Sequence, residues 1–301
     1  MIIVKEAIIM AKETIQYQEL LNVVRRMQES AKYHFFLSAC ENVNFQICQI
    51  CLDAGADINY REVFHNQTLI NELVRRNKFT TELGDWLIEK GADINISEDE
   101  DRSNLSRACE NGNVKIAQYF IDKGIKIRQY ENKFSKPSDL YFAVDSGNYE
   151  LVKILLELGA NIESNIENYN PYIRAVDGKF SEIVELFLQK GASADFDYGG
   201  GVRPIHIAVG NKDIQTVNIL LKYDANVNAK LNNAGFSLRE FGTKDFVITP
   251  MDIAVLNEDI AMQKLLTSFG GTLSTKEDKI RVLTEYGDNE KAIMMIKKIM
   301  S

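Results

Sequence analysis

The sequence is poor in the features that mark membrane-spanning and secreted proteins. Its 301 residues include four prolines, four cysteines and one tryptophan, and no stretch approaches the roughly 20 apolar residues that cross a bilayer. The opening MIIVKEAIIMAKE meets Lys5 and Glu6 after four apolar residues, which breaks the apolar core of a signal peptide. These absences predict an ordered chain with no membrane segment. We expect it to work in a cytosol, either its own or one into which it is delivered.

Positive charge is also in short supply. The 35 lysines and arginines are outnumbered by 43 aspartates and glutamates, which leaves a formal net charge of −8. Proteins that bind nucleic acid neutralise phosphates with a basic face. We therefore expect no nucleic-acid partner.

Residues that carry catalysis are few and scattered. His34 lies six positions from Cys40, so the two would point in different directions on a helix, and His65 has no cysteine or carboxylate cluster nearby. No GxxxxGK[ST] phosphate loop is present. The acidic run Glu98–Asp101 lacks the glycine and the closing glutamate of a calcium loop, and a solvated hairpin tip explains it better. The sequence predicts no enzyme, no metal and no cofactor; the alternative is an active site hidden in a terminal segment or an insertion.

The four cysteines are expected to be reduced. Cys48 and Cys51 form a CxxC, which is compatible with a redox or metal pair. On a helix, however, positions i and i+3 share one face, and both continue an apolar stripe that includes Phe45 and Leu52. Core packing is therefore the better explanation, and we expect four free thiols.

What the sequence does contain is a repeat. The pentapeptide GADIN at 55–59 returns at 91–95, and related signals follow at Gly124, Gly159, Gly191, Asp224 and Gly270. The intervals are 36, 33, 35, 32, 33 and 46 residues. An apolar run at helical spacing precedes each signal, so the glycine is typical of a helix end in the left-handed conformation. Each GADIN-like signal therefore predicts a helix stop followed by a short extended exit.

A second helix is predicted ahead of the first in each unit. Segments such as YFAVDSGN and IHIAVGNKD place a small residue at a fixed point before a polar turn, where it would let a neighbouring helix approach closely. These small residues are Ala108, Ala143, Ala175, Ala208 and Ala254. Two antiparallel helices and a protruding connector therefore form one unit.

The residues of these units carry a family resemblance. RPIHIAVGNKDIQTVNILLKYDANVN at 203–228 resembles the ankyrin-repeat motif TPLHxAxxxGHxxxVxxLLxxGADVN almost position for position. The resemblance implies an all-α fold, an ankyrin-repeat solenoid of about seven repeats with hairpin fingers, capped at both ends by helices. The repeats are expected near 32–60, 66–95, 102–127, 138–162, 170–194, 203–228 and 249–273.

The expected organisation is an N-terminal capping helix in 1–30, repeats over 31–273 and C-terminal capping helices in 274–301. The 46-residue interval predicts an insertion near 229–248. Two departures from the motif stand out. The second repeat needs about three extra residues between its helices, and the histidine of TPLH survives only at His206, which implies that most units have lost one helix-capping hydrogen bond. His206 itself is expected to bond to the next unit.

The resemblance implies that a partner protein binds on the concave face formed by the fingers and the inner helices. Carrying the motif over by position, and adding exposed aromatic and charged residues of the connectors and the insertion, gives a set of predicted contacts. These are Asp99, Glu100, Arg102, Glu110, Asn111, Phe134, Asp145, Tyr169, Asp177, Tyr198, Phe236, Arg239 and Phe241.

Each part of this surface has a second explanation. The connector aromatics serve either as binding anchors or as finger-to-finger packing, and the insertion is either functional or a tolerated loop. The acidic positions suit either a basic partner patch or simple solubility. The resulting hypothesis is a monomeric, non-enzymatic scaffold that occludes the active site of an enzyme or toxin, as inhibitors and immunity proteins do. An effector or adaptor acting in a host cell is the alternative.

Overall fold

A computed structural model describes residues 17–63, 66–96, 102–129, 137–162, 169–199, 201–231 and 248–274. Over these ranges the regular structure is helical, and one isolated antiparallel bridge joins Leu231 to Ile248. None of the helices in the described ranges is long and apolar enough to span a bilayer. The all-α prediction is confirmed.

Within the described ranges, seven helix pairs follow one leading helix, as the repeat predicted. The leading helix α1 is Tyr17–Arg25. The pairs are α2 Glu29–Glu41 with α3 Phe45–Asp53, α4 Leu69–Arg75 with α5 Thr81–Glu89, α6 Asn104–Glu110 with α7 Val114–Asp122, α8 Asp139–Asp145 with α9 Tyr149–Glu157, α10 Pro171–Asp177 with α11 Ser181–Gln189, α12 Pro204–Gly210 with α13 Ile214–Lys222, and α14 Pro250–Leu256 with α15 Ile260–Ser268. We number the pairs as repeats 1 to 7.

The ends of these helices follow from the sequence. Side-chain oxygens of Thr68, Ser103 and Thr249 accept the backbone N–H three residues on and so cap first helices. Asn44, Asn113 and Asn148 cap second helices in the same way. The glycine signals after the second helices have φ between 78° and 96°, and a Cβ added at any of them would meet no heavy atom within 4 Å. These glycines are therefore required by backbone conformation and not by a close neighbour.

The chain divides into two compact units. Unit 1 comprises residues 1–130 and 136–146, and unit 2 comprises 131–135 and 147–301. In unit 1 the first helices α2, α4, α6 and α8 stack side by side, and in unit 2 α10, α12 and α14 do the same. The predicted small residues are fully buried, including Ala108 in unit 1 and Ala208 in unit 2, which lets these helices pack closely.

Repeat 2 has two extra residues between its helices. Five residues separate α4 from α5, whereas three separate the helices of every other pair, so the expected insertion of about three residues was too long. The extra length turns Phe79 into the core, where its ring lies 5.6 Å from that of Tyr119. A Cβ on Gly84 would approach the Phe79 ring to 2.5 Å. Glycine at position 84 therefore makes room for the inserted aromatic ring.

Unit 2 accommodates an aromatic ring in a similar way in repeat 5. Phe180 takes the cap position of α11, where no side-chain capping bond forms. Cβ atoms built on Gly147 and Gly178 would lie 2.8 and 2.4 Å from its ring. Two glycines thus admit a bulky residue at a position that holds asparagine or aspartate in most other repeats.

The capping bond of the TPLH histidine is present beyond His206. Nδ1 of His206 accepts the N–H of Arg203 at 3.1 Å, and Nε2 lies 3.0 Å from the carbonyl oxygen of Ala229, to which it donates. In repeat 7, Asp252 accepts the N–H of Thr249 at 2.9 Å and that of Ser274 at 3.0 Å. In repeat 3, Ser106 accepts the N–H of Ser103 at 3.2 Å. The expected loss of this bond is therefore wrong for repeats 3 and 7, because serine and aspartate also offer an acceptor.

A buried carboxyl joins repeats 3 and 4 within unit 1. Asp139 is fully buried and accepts hydrogen bonds from the hydroxyls of Ser106 at 2.5 Å and Ser103 at 3.2 Å, and from the N–H of Arg128 at 2.7 Å. Burial raises the pKa of this carboxyl above its usual value, although these hydrogen bonds oppose the shift. The stacking of α8 on α6 therefore depends on a polar cluster.

Candidate protein-binding surface

The asparagine of GADIN joins each hairpin to the next one. The side chain of Asn59 donates to the carbonyl of Gly91 at 3.0 Å and accepts the N–H of Asp93 at 2.9 Å. Asn228 repeats the pattern in unit 2, with the carbonyl of Gly270 at 3.0 Å and the N–H of Thr272 at 2.8 Å. The recurrence of the pentapeptide is thereby explained, because its last residue fixes the backbone of the following finger.

A second set of asparagines joins the ends of the first helices. The Asn111 amide donates to the carbonyl of Val74 at 2.7 Å, and the Asn211 amide donates to the carbonyl of Asp177 at 3.3 Å. Sequence reasoning placed Asn111 on a binding surface and missed this bond. The signal was available in the asparagine shared by ENGN, VGNKD and LNED.

In repeats 1 and 2, charged side chains pair across the first-helix surface. Glu72 binds Arg75 at 2.6 Å and Arg76 at 2.5 Å, and Arg76 reaches Glu41 of the preceding repeat at 2.9 Å. Burial of Glu72 opposes its ionisation, but the hydrogen bonds from both arginines outweigh it and hold the pKa of this carboxyl below its usual value. The network is therefore ionised at neutral pH.

The structure brings two of the predicted contacts together in repeat 3. Arg102 lies 3.4 Å from Glu110, and Glu110 also binds Arg107 at 2.9 Å. The Arg102 guanidinium stands over the ring of Phe142, 5.4 Å from its centroid. The negative charge of Glu110 is thus compensated within the chain, which reduces what it could offer to a basic partner.

The remaining predicted positions of unit 1 are divided between a helix end and connectors. Asp145 is exposed at the end of α8. Asp99, Glu100 and Phe134 lie outside the described residues.

In unit 2, Asp177 is exposed at the end of α10 and pairs with Arg174 of the same helix at 3.5 Å. Its carboxylate also accepts a bond from Asn211 at 3.3 Å. Tyr169 precedes α10 with 37% of its surface exposed. These positions are near a helix start and a helix end of one repeat, at opposite ends of α10.

One finger is described at residues 195–199 and 201–203. The Asp197 carboxylate accepts the N–H groups of Gly199 at 2.8 Å and Gly201 at 3.2 Å, and the N–H of Tyr198 binds the carbonyl of Val202 at 2.9 Å. These bonds turn the chain tightly between Asp197 and Val202. They place the predicted contact Tyr198 on a bonded turn.

One finger aromatic packs on a helix of its own repeat, α10. Phe196 packs on Tyr172 with ring centroids 6.4 Å apart, which is a structural contact. Phe236, Arg239 and Phe241 of the insertion lie outside the described residues, and the Leu231–Ile248 bridge closes the base of that insertion.

The described residues offer little for catalysis. No group of three His, Cys, Asp or Glu side chains in the described ranges could hold a metal ion. All four cysteines are buried and unpaired, with the sulfurs of Cys40 and Cys48 3.5 Å apart. The contact with Cys48, together with burial, raises the pKa of the Cys40 thiol, so this thiol stays protonated. The CxxC packs in the core of repeat 1.

Comparison with known proteins gives a consistent set of matches. A putative ankyrin repeat protein of Rickettsia felis is 27% identical over 168 residues, which cover 52% of this chain and 59% of that protein. The E3 ubiquitin-protein ligase XBAT32 of Arabidopsis thaliana is 28% identical over 194 residues, covering 58% of this chain and 38% of the ligase. The chain therefore spans less than two thirds of either relative.

A solved structure shares the fold. The crystal structure of the human ASB11 ankyrin repeat domain superposes with a TM-score of 0.58 at 20% identity and covers 77% of this chain and 98% of that domain. The family model for ankyrin repeats, three copies long, matches residues 35–131 and 140–231. These matches cover more than half of the sequence, and the chain belongs to the ankyrin-repeat family.

Proposed function

We propose that this ankyrin-repeat scaffold, a fold that serves protein–protein interaction, binds its partner through the hairpin fingers and the exposed ends of the first helices. The observation that carries the proposal is the bonding of the fingers to one another. Asn59 and Asn228 each hold the backbone of the next finger at two points. A backbone fixed in this way loses little further entropy on binding, which favours affinity.

The described part of the surface favours the finger at 195–203 and the approach to α10. Tyr198 and Tyr169 are tyrosines at connector positions where the fold needs only turn residues, and tyrosine is enriched at binding hot spots. The predicted contacts outside the described residues, Asp99, Glu100, Phe134, Phe236, Arg239 and Phe241, stay part of the proposal on sequence grounds.

We still propose that the partner carries a basic patch, but we expect this patch to face the finger and not Glu110 and Asp177. Glu110 and Asp177 already pair with arginines of this chain, so they contribute less field than free carboxylates would. Asp197 is exposed on the finger, whereas Asp195 pairs with Arg203 at 3.7 Å. The net charge of −8 supplies long-range attraction. Such attraction raises the association rate more than it lowers the dissociation rate.

The role that we favour is occlusion of an enzyme or toxin active site by the fingers, in a cytosol and as a monomer. Bonded fingers with aromatic tips suit insertion into a concave site. The second candidate is an adaptor or a delivered effector, and the relatives favour it, because the similar region of XBAT32 is only 38% of a longer ligase. A catalytic role has no support from the residue clusters of the described ranges.

The test begins with capture of partners from the native source and their identification by mass spectrometry. The purified partner is then titrated with Tyr169→Ala and Tyr198→Ala variants, with Lys222→Ala on the exposed side of α13 as the control. We expect each tyrosine variant to lose about 2 kcal/mol, roughly thirtyfold in affinity, with little change in melting temperature. Lowered melting temperatures with unchanged affinity would mean that the tyrosines are structural.

The same complex separates the two roles. If the fingers occlude an active site, a stoichiometric amount of this protein abolishes the partner's activity, and the two tyrosine variants inhibit in proportion to their reduced affinity. An adaptor leaves the partner active. Full activity of the saturated partner would therefore exclude occlusion.

A further inference from the structure

Two cysteines of repeat 1 meet between its helices. The sulfur atoms of Cys40, near the end of α2, and Cys48, in α3, lie 3.5 Å apart, and both residues are fully buried. The turn between the helices is fixed by two backbone bonds. The N–H of Val43 donates to the carbonyl of Cys40 at 2.9 Å, and the N–H of Asn44 donates to the carbonyl of Ala39 at 3.0 Å. The two thiols therefore face each other beside a short, bonded turn.

The other repeats show what the fold needs at these two positions. Both positions hold a fully buried valine in repeats 4, 5 and 6, where the pairs are Val144 with Val152, Val176 with Val184 and Val209 with Val217. In repeat 3 the equivalent residues are Cys109 and Ala117, which are also fully buried. A single cysteine is therefore explained by packing as a small apolar residue. Packing does not require two thiols in contact.

The CxxC motif is less suited to forming a disulfide than this pair. Cys48 and Cys51 both lie within α3. Cβ atoms three residues apart on a helix are about 5–6 Å from each other, whereas a disulfide needs about 3.5–4.5 Å. A bond between these two cysteines would therefore distort α3. The sulfurs of Cys40 and Cys48 need only close from 3.5 Å to about 2.0 Å.

We propose that Cys40 and Cys48 form a reversible oxidation site, at which a hydroperoxide converts the two thiols into a disulfide that links α2 to α3. With hydrogen peroxide, one thiolate attacks an oxygen and breaks the O–O bond, which gives a sulfenic acid and one water. The second thiol attacks the sulfenic sulfur, the S–S bond forms, and the sulfenic oxygen leaves as a second water. Two thiols thus lose two electrons and two protons to one peroxide. The inference does not depend on the function proposed for the fingers.

The reaction requires repeat 1 to open. The contact with Cys48 and burial raise the pKa of the Cys40 thiol, so little of the reactive thiolate is present while the repeat is closed. The helix α1 packs against α3 and buries Leu20, Leu21 and Val24. Opening near the end of a repeat array costs less free energy than opening in its middle. We therefore expect the rate of oxidation to follow the opening of this end.

Thiol titration of the full chain tests the proposal. The protein is treated with hydrogen peroxide and unfolded, and its thiols are alkylated with different reagents before and after reduction and located by mass spectrometry. We expect Cys40 and Cys48 to lose their thiols together and to regain them with dithiothreitol, while Cys51 and Cys109 stay free. Thiols that are all still free after treatment, thiols that reduction does not restore, a bond between Cys48 and Cys51, or a bond between two chains would each overturn the proposal.

The other repeats supply substitutions that the fold accepts. Cys48→Val installs the residue of repeats 4 to 6, and we expect it to abolish the disulfide of Cys40. Cys51→Leu is the matched control, because leucine holds this position of the second helix in repeats 2, 4, 6 and 7. This control should oxidise at the wild-type rate. Equal loss of thiols in the two variants would overturn the assignment of the pair.

A change in α1 tests the requirement for opening. Leu21→Ala shortens a buried side chain of α1, and Leu220→Ala shortens a buried side chain of α13 in unit 2 as the control. We expect the disulfide to form about tenfold faster in Leu21→Ala than in the wild type, and at the wild-type rate in the control. An unchanged rate in Leu21→Ala would overturn opening of repeat 1 as the route of oxidation.

Discussion

The two units join their repeats by different chemistry within one backbone plan. In repeat 4, which contributes its first helix to unit 1, the position just after the cap is held by Asp139, whose carboxyl binds two hydroxyls and one N–H of repeat 3. In unit 2 the same position is Pro171, Pro204 and Pro250, which supply a helix start and no polar contact. The first-helix surface differs as well, with paired charges in repeats 1 to 3 and Ile207, Ile253 and Leu256 in repeats 6 and 7.

This difference distinguishes contacts that recur in both units from contacts that are present in single repeats. The asparagine bonds between fingers occur in both units and act on backbone atoms. In unit 1 the buried carboxyl of Asp139 and the ion pairs of Arg76 connect neighbouring repeats. In unit 2 the buried carboxylate of Asp252 bonds within repeat 7. We therefore expect single substitutions to be more costly in the polar contacts of unit 1, because removing one member leaves buried partners unsatisfied.

The largest effect is expected at Asp139. Replacing it with Ala strands the hydroxyls of Ser103 and Ser106 and the N–H of Arg128 in a buried site, and should cost about 3 kcal/mol of unfolding free energy. Local hydrogen exchange at α6 and α8 measures the loss, since repeat arrays need not unfold in one step.

Asp139→Asn is the control for this substitution. Its amide oxygen can still accept the N–H of Arg128, and its amide group can donate to the serine hydroxyls, so a smaller loss is expected. If the alanine variant is no less stable than the asparagine variant, the polar cluster does not hold α8 on α6.

The next effect concerns the glycines that admit aromatic rings. Gly84→Ala in unit 1 would drive a Cβ to 2.5 Å from Phe79, and Gly178→Ala in unit 2 would drive one to 2.4 Å from Phe180. Each should cost about 1–3 kcal/mol through overpacking. Thermal unfolding of the two variants measures whether the units tolerate crowding equally.

Gly210→Ala is the matched control for both substitutions. It lies in α12, and a Cβ there would meet no heavy atom of the described residues within 4 Å. Alanine is the better helix former, so we expect no loss and a gain of up to ~1 kcal/mol. A loss in the control as large as in the other two variants would argue against steric crowding as the cause.

Most of the fold was predictable because the buried residues of each helix recur in the sequence at helical spacing. The seven helix pairs and the left-handed glycines all follow from apolar spacing and stop signals. The two-residue insertion of repeat 2 was harder, because the role of Phe79 depends on a glycine and a tyrosine from other helices. The histidine-like role of Asp252 was missed because its second partner, Ser274, is 22 residues away.

The candidate site was less predictable for a related reason. A motif position shows that Glu110 lies near a helix end, but its pairing with Arg102, which precedes the same helix, depends on side-chain geometry. The finger contacts were predicted from residue type alone, and their role as binding anchors stays a prediction.

A smaller effect is expected in how the stability of each unit depends on pH. The pKa of Asp139 is raised by burial, so its contribution to stability is fully present below the unfolded pKa of about 3.9 and is lost as pH rises through the folded pKa. The pKa of His206 is lowered by burial, so its contribution is present above about pH 6.5 and is lost as pH falls through the folded pKa. Mild acid should therefore weaken unit 2 relative to unit 1.

Hydrogen exchange at several pH values, corrected for intrinsic exchange rates, measures the opposite pH dependences of the two units. The variants Asp139→Asn and His206→Gln each remove one titrating group, and each should flatten the pH dependence of its own unit only. A pH dependence of α12 that survives His206→Gln would assign it to another group.

The smallest effect is expected at Thr216 in α13. Its hydroxyl is fully buried and finds no hydrogen-bond partner among the described residues, whereas the hydroxyl of Ser106 in unit 1 binds Asp139 at 2.5 Å. Thr216→Val keeps the shape and removes the unsatisfied group, so a gain of up to ~1 kcal/mol is expected in thermal unfolding. Ser106→Ala should instead lose about 1–3 kcal/mol, because Asp139 loses a donor. A gain of stability in Thr216→Val together with a loss in Ser106→Ala would show that the buried hydroxyl of unit 1 stabilises the fold and that of unit 2 does not. A loss in Thr216→Val would mean that its hydroxyl has a bound partner and that the units are more alike than these contacts indicate.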